Sequence, residues 1–174
     1  MLAIFRLFVD LCLFRKAPQD VPYSVFLFVL MLSLKVILSL VYLFMLVEES
    51  RRPEFSEAVI FIALRTVLFV VILISIMYIL GLRNRILQTL TAIQGTDAVF
   101  ELIFLFVGLA LSLLPQGSPV FIIVIMLYLG WKLAVQSNIY RYAMSISLLT
   151  AGFLAAGLFF LEILIEKKFS PVLM

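Results

Sequence analysis

Residues Gly81 to Glu101 read GLRNRILQTLTAIQGTDAVFE. This is the longest polar-rich passage in an otherwise apolar chain, with two apolar segments before it and three after it. Ile86, Leu90 and Ile93 recur at helical spacing, while Arg83, Arg85, Gln88 and Thr89 supply the opposite face. The pattern predicts a short central interfacial helix followed by a break. Gly95 suits a left-handed cap that closes that helix, and Thr96 or Asp97 suits the N-cap of the next. The connector is thus read as residues 81–97.

The composition around this stretch fixes the solvent. Of 174 residues, 66% are hydrophobic and 13% charged, and the mean hydropathy is +1.27. A soluble domain is about half apolar and a quarter charged, so a chain of this size cannot hide its apolar surface except in a bilayer. Thirteen Lys and Arg against ten Asp and Glu give a net charge of +3. No basic run accompanies that small bias, which argues against nucleic acid as a partner. One cysteine, Cys12, and no histidine exclude an internal disulfide and the common zinc spacings. No metal or other cofactor is expected.

Outward from the connector, the apolar runs give an all-α polytopic helix bundle, read as one integral membrane domain over residues 1–174. Five transmembrane helices are expected at about residues 23–47, 59–80, 98–114, 120–140 and 145–165, each near the 20 apolar residues a crossing needs. Residues 1–22 hold an N-terminal interfacial helix and a proline turn. Arg6 and Asp10 lie four apart on one helical face, and an acid inside the run with charge at its end does not suit a signal peptide. Glu48 to Glu57 reads as a charged loop, and Pro115-Gln116-Gly117-Ser118-Pro119 as a tight turn.

Five spans put the termini on opposite sides. Arg6, Arg15, Lys16, Arg83, Arg85 and Arg141 fall on one side. Arg51, Arg52, Lys167 and Lys168 fall on the other, offset by Glu48, Glu49, Glu54 and Glu57. The Lys/Arg bias therefore places the N-terminus and the connector in the cytoplasm.

Charged groups within spans are costly and are functional candidates by default. Here they are Lys35, Arg65, Glu101, Lys132 and Glu162, joined by Asn138. Depth along the helices suggests a Glu101–Lys132 pair and an Arg65–Glu162 pair, and leaves Lys35, near mid-span with Ser39 one turn on, without an obvious partner. Snorkelled anchors and structural pairs are the plainer reading of the same residues. Ser147, Ala151 and Ala155, with Gly152 and Ala156, form small-residue faces, as do Gly108 and Ser112; these allow close helix packing within one subunit or in a homo-oligomer. Trp131, Tyr128 and Tyr140 are candidate interfacial anchors.

No phosphate loop, dinucleotide fingerprint or zinc-protease motif is present. No carboxylate pair at converging spacing and no histidine base is available, so no enzyme is expected. The run from Arg85 through Gln88, Thr89, Gln94, Gly95, Thr96 and Asp97 to Ala98, with two spans before and three after, resembles small bacterial members of the Yip (Ypt-interacting protein) family. Trp131 followed by a polar residue about two turns later also resembles it, though the family pattern implies a histidine near Asn138. The resemblance implies a non-enzymatic bacterial inner-membrane protein with a cytoplasmic face for partners.

Two functions follow. The first is a multi-pass scaffold or assembly factor whose cytoplasmic face is the N-terminal helix, the Pro18–Pro22 turn and the connector, with Arg83, Arg85, Gln88, Thr89, Gly95, Thr96 and Asp97 binding membrane lipids or another membrane or cytoplasmic protein. The second is a small transporter, or a subunit of one, with a polar path through Lys35, Glu101, Lys132 and Asn138.

Overall fold

The computed structural model describes residues 2–46, 53–112 and 118–169. Glu48, Glu49, Arg51 and Arg52 of the expected charged loop, and Pro115, Gln116 and Gly117 of the expected turn, lie outside the described residues. The described chain is helical and without strands. Its helices are α1 (Leu2–Cys12), α2 (Val25–Leu46), α3 (Phe55–Ile79), α4 (Ile86–Leu111), α5 (Pro119–Met144) and α6 (Leu148–Phe169). The last five are each long and apolar enough to cross a membrane, as the hydropathy of the sequence requires. The protein is an integral membrane protein.

The helix ends follow local chemistry. Ser118 caps α5, its hydroxyl accepting from the Phe121 amide at 3.3 Å, with Pro119 as the first helical residue. Gly81, at φ +74°, closes α3. Its amide donates to the Tyr78 carbonyl at 3.0 Å and the Leu82 amide to the Met77 carbonyl at 2.9 Å, the paired bonds of a left-handed helix terminus. Phe14 and Ser145 occupy the same left-handed region at the ends of α1 and α5.

The break expected at Gly95 is absent. Helix α4 runs unbroken from Ile86 to Leu111, so the connector and the third span are one element, preceded by a single 3-10 turn at Arg83–Arg85. Gly95 is there for space: a Cβ built on it would overlap the ring of Phe8 in α1. Thr96 does not cap a new helix either. Its hydroxyl donates back to the carbonyls of Ala92 and Ile93 at 2.9 and 3.0 Å, which satisfies it within the helix.

Residues 89–100 of α4 are buried without interruption. A helix buried all round is a core element, and α4 occupies that place, packed most heavily on α2 and also against α1, α3 and α5. Helix α6 packs on α5 and α3. Small residues set these approaches. Ala151 and Ala155 are fully buried, and a Cβ on Gly108 would meet Leu46 Cδ1 at 2.6 Å, so both small-residue faces contribute to packing inside the chain.

The amphipathic helix expected at the N-terminus is present as α1. It docks Leu7, Phe8, Leu11 and Cys12 against the bundle. Trp131 in α5 donates its indole N–H to the Cys12 carbonyl at 3.0 Å, Tyr128 donates to the Phe100 carbonyl at 3.3 Å, and Tyr140 is fully buried. These three aromatics are packing and bridging residues rather than exposed anchors.

Candidate functional site

Because α4 is continuous, Asp97 and Glu101 sit one turn apart on the same face. At 1.5 Å per residue Asp97, Lys35 and Lys132 each lie about 15–18 Å along their helices from the same end of the bundle. Asp97 Oδ2 accepts from Lys35 Nζ at 3.0 Å. Its other oxygen lies 3.4 Å from Lys132 Nζ and accepts from Gln136 Nε2 at 3.3 Å. Lys35 thus has a partner after all, and Lys132 pairs with Asp97 instead of the expected Glu101. The Asp97 and Lys35 side chains are 2% and 5% exposed. Burial this deep makes removal of any one charge costly. Lys35 Nζ also lies 5.6 Å from the centre of the Phe69 ring.

Above this cluster lies a cavity of about 470 Å³ lined by α2 to α6, including Lys35, Arg65, Glu101, Lys132, Glu162 and Glu166. It extends from the lysines toward the end of the bundle where α3 begins and α6 finishes. Ser39 donates its hydroxyl to Glu101 Oε2 at 2.7 Å. Arg65 lies 3.9 Å from Glu166, one turn beyond the Glu162 expected from depth. An aromatic wall runs beside these charges: the rings of Tyr42 and Phe104 are 5.2 Å apart, and those of Phe104 and Tyr128 are 4.7 Å apart. The volume falls within the range of small-molecule sites, about 300–1,000 Å³.

Five of the six intramembrane polar residues singled out from the sequence therefore line one cavity. Asn138, half-buried on α5, is not among its lining residues. The connector residues fare differently. Thr89, Gly95, Thr96 and Asp97 are buried, so they present no exposed contact face at the connector. Arg85 donates to the Ala143 carbonyl and the Ser145 hydroxyl at 3.2 and 3.0 Å. Gln88 donates to the Val21 carbonyl at 3.0 Å, and Arg83 stacks over Tyr78 at 4.0 Å. These side chains tie the chain to itself at the α1 end of the bundle.

No family model matches the chain, and neither the curated proteins nor the solved structures provide a match.

Reading the sequence missed Gln136, Tyr42 and Glu166 as members of the site. The signal was spacing: Lys35 and Ser39, Asp97 and Glu101, and Lys132 and Gln136 are each four apart, which stacks polar groups on a single helix face. Also missed were the buried polar atoms of Gln94, Thr66 and Tyr140, which have no hydrogen-bond partner among the described residues. Among the described residues no group of three or more His, Cys, Asp or Glu side chains is arranged to hold a metal ion. The Cys12 thiol beside the cluster is pushed up to about 12 by burial, with the negative charge of Asp97 adding to the effect. At neutral pH it is a thiol, a poor nucleophile.

Proposed function

We propose that the protein is a small non-enzymatic transporter, or the membrane subunit of one, that binds a charged small molecule in the intramembrane cavity. The observation that carries this is the convergence of Lys35, Arg65, Glu101, Lys132 and Glu162, from five different spans, on one space. Charges in apolar spans are expensive, and snorkelled anchors would point to the two interfaces rather than to a common centre. The scaffold reading ranks second. Of the connector residues in its face, Thr89, Gly95, Thr96 and Asp97 are buried and Arg85 and Gln88 are bonded within the chain, which leaves Arg83 and the outer face of the N-terminal helix exposed.

The proposal places the α1 end, with Arg83, Arg85 and Arg141, in the cytoplasm of a bacterial cell and the cavity toward the opposite side. The likeness of residues 85–98 to the Yip family enters for architecture only. Flux in proteoliposomes against a panel of cationic, anionic and zwitterionic solutes tests the reading. Transport of one class that is lost in Lys132→Met supports it. Absence of flux for every class, from protein that is folded and monodisperse, overturns it.

A further inference from the structure

The charges around the cavity are not evenly spent. Lys35 and Lys132 are both committed to Asp97, and Arg65 to Glu166. An anion entering the cavity would have to compete with Asp97 for a lysine or with Glu166 for Arg65. Glu101 and Glu162 are in the opposite position. Among the described residues neither forms a salt bridge, and Glu101 is held by a single hydroxyl, that of Ser39, on one of its two oxygens. Three cations, Lys35, Arg65 and Lys132, and three carboxylates, Glu101, Glu162 and Glu166, line the cavity, and Asp97, outside the lining, is a fourth carboxylate that engages both lysines. With all of them ionised the site is one positive charge short of neutrality.

Aromatic rings supply the second half of the argument. Tyr42, Phe61, Phe104, Tyr128 and Phe159 line the same space. Ring faces attract cations, and quaternary and alkylated ammonium groups are held by clusters of them. Small inorganic cations would instead require several oxygen ligands at short range, which a mostly apolar wall does not offer. From these two features we infer that the cavity takes an organic cation, an amine or quaternary ammonium on a compact apolar body. Its positive group sits between Glu101 and Glu162, and its body lies along the Tyr42–Phe104–Tyr128 wall. The inference rests on the cavity reading above and names its ligand class.

The test uses the full chain in phosphatidylcholine nanodiscs. Titration calorimetry measures binding of benzyltrimethylammonium and, separately, of 3-phenylpropanoate, an anion of similar size. Saturable binding of the cation is expected. Glu101→Gln and Glu162→Gln should each weaken it at least about tenfold, while Glu54→Gln, on an exposed residue, leaves it unchanged. Both cavity variants replace a carboxylate by its amide isostere, and either one alone decides the matter if the other does not yield monodisperse protein. Saturable anion binding that Arg65→Gln weakens would overturn the cation assignment and leave the cavity as a site. Cation binding untouched by both Glu variants would place it elsewhere and overturn the inference. Binding of neither probe also overturns it, and the solute panel then decides separately whether the cavity transports anything.

Discussion

Replacing Asp97 by asparagine keeps the side-chain shape and removes one charge from between two buried lysines. At 3.0 and 3.4 Å and an effective dielectric of about 20, each attraction is worth about 5 kcal/mol before desolvation is counted. Much of that is offset by the cost of taking three charges out of water, so the net worth of the cluster is far smaller. What the variant exposes is the residue of that balance: two ammonium groups left in the core with no counter-charge between them. Breaking a buried pair in this way costs about 3–5 kcal/mol. Removing Lys35 as well should recover part of the loss, because Lys132 alone still has the cavity and Glu101 nearby.

The assay is equilibrium unfolding in mixed micelles with rising SDS, followed by fluorescence of the single tryptophan, Trp131, which adjoins Lys132. Asp97→Asn should lose about 3–5 kcal/mol, and Lys35→Met/Asp97→Asn should lose less than the sum of the two single variants by at least about 2 kcal/mol. A loss below about 1 kcal/mol for Asp97→Asn, or additivity within about 0.5 kcal/mol, would refute the claim that these charges form one energetic unit.

Further outcomes are expected at other positions. Gly95→Ala should destabilise by about 1–3 kcal/mol because the added methyl meets Phe8, and the same unfolding assay should show Phe8→Ala relieving part of that cost in the double variant. Cys12, with its thiol near 12, should be labelled by N-ethylmaleimide at pH 8 far more slowly than a free thiol, since only about one thiol in ten thousand is ionised there. Trp131→Phe, which removes the bond to the Cys12 carbonyl, should speed that labelling. Gly81→Ala should cost about 1 kcal/mol from its left-handed backbone alone, as nothing lies within 4 Å of the new Cβ. Glu166→Gln should change stability by less than about 1 kcal/mol, because its pair with Arg65 is long and half exposed.

Five spans were legible because lipid enforces a simple rule: a helix facing acyl chains must be apolar along its length. The polar residues were legible for the same reason, as exceptions. Their pairing was not. Gly95 looked like a helix end because glycine tolerates a left-handed turn, whereas it is small so that Phe8, in a helix far away in sequence, can lie against it. That single misreading moved Asp97 out of the membrane and left Lys35 without its partner. Arg65 posed a different problem. Glu162 and Glu166 share a face of α6, and helical periodicity alone does not choose between neighbours one turn apart. Depth along a helix is set by sequence, but which side chain reaches across depends on how the helices tilt and cross.

Helix α4 also bears on how the protein is made. It carries Asp97 near its middle, and an aspartate at the centre of a helix raises the cost of entering the bilayer by about 3 kcal/mol. Helices α2 and α3 leave the ribosome first, so Lys35 is already in place when Asp97 arrives. Lys132 follows later, in α5. The chain order therefore makes Lys35 the first counter-charge available to Asp97 and Lys132 the second.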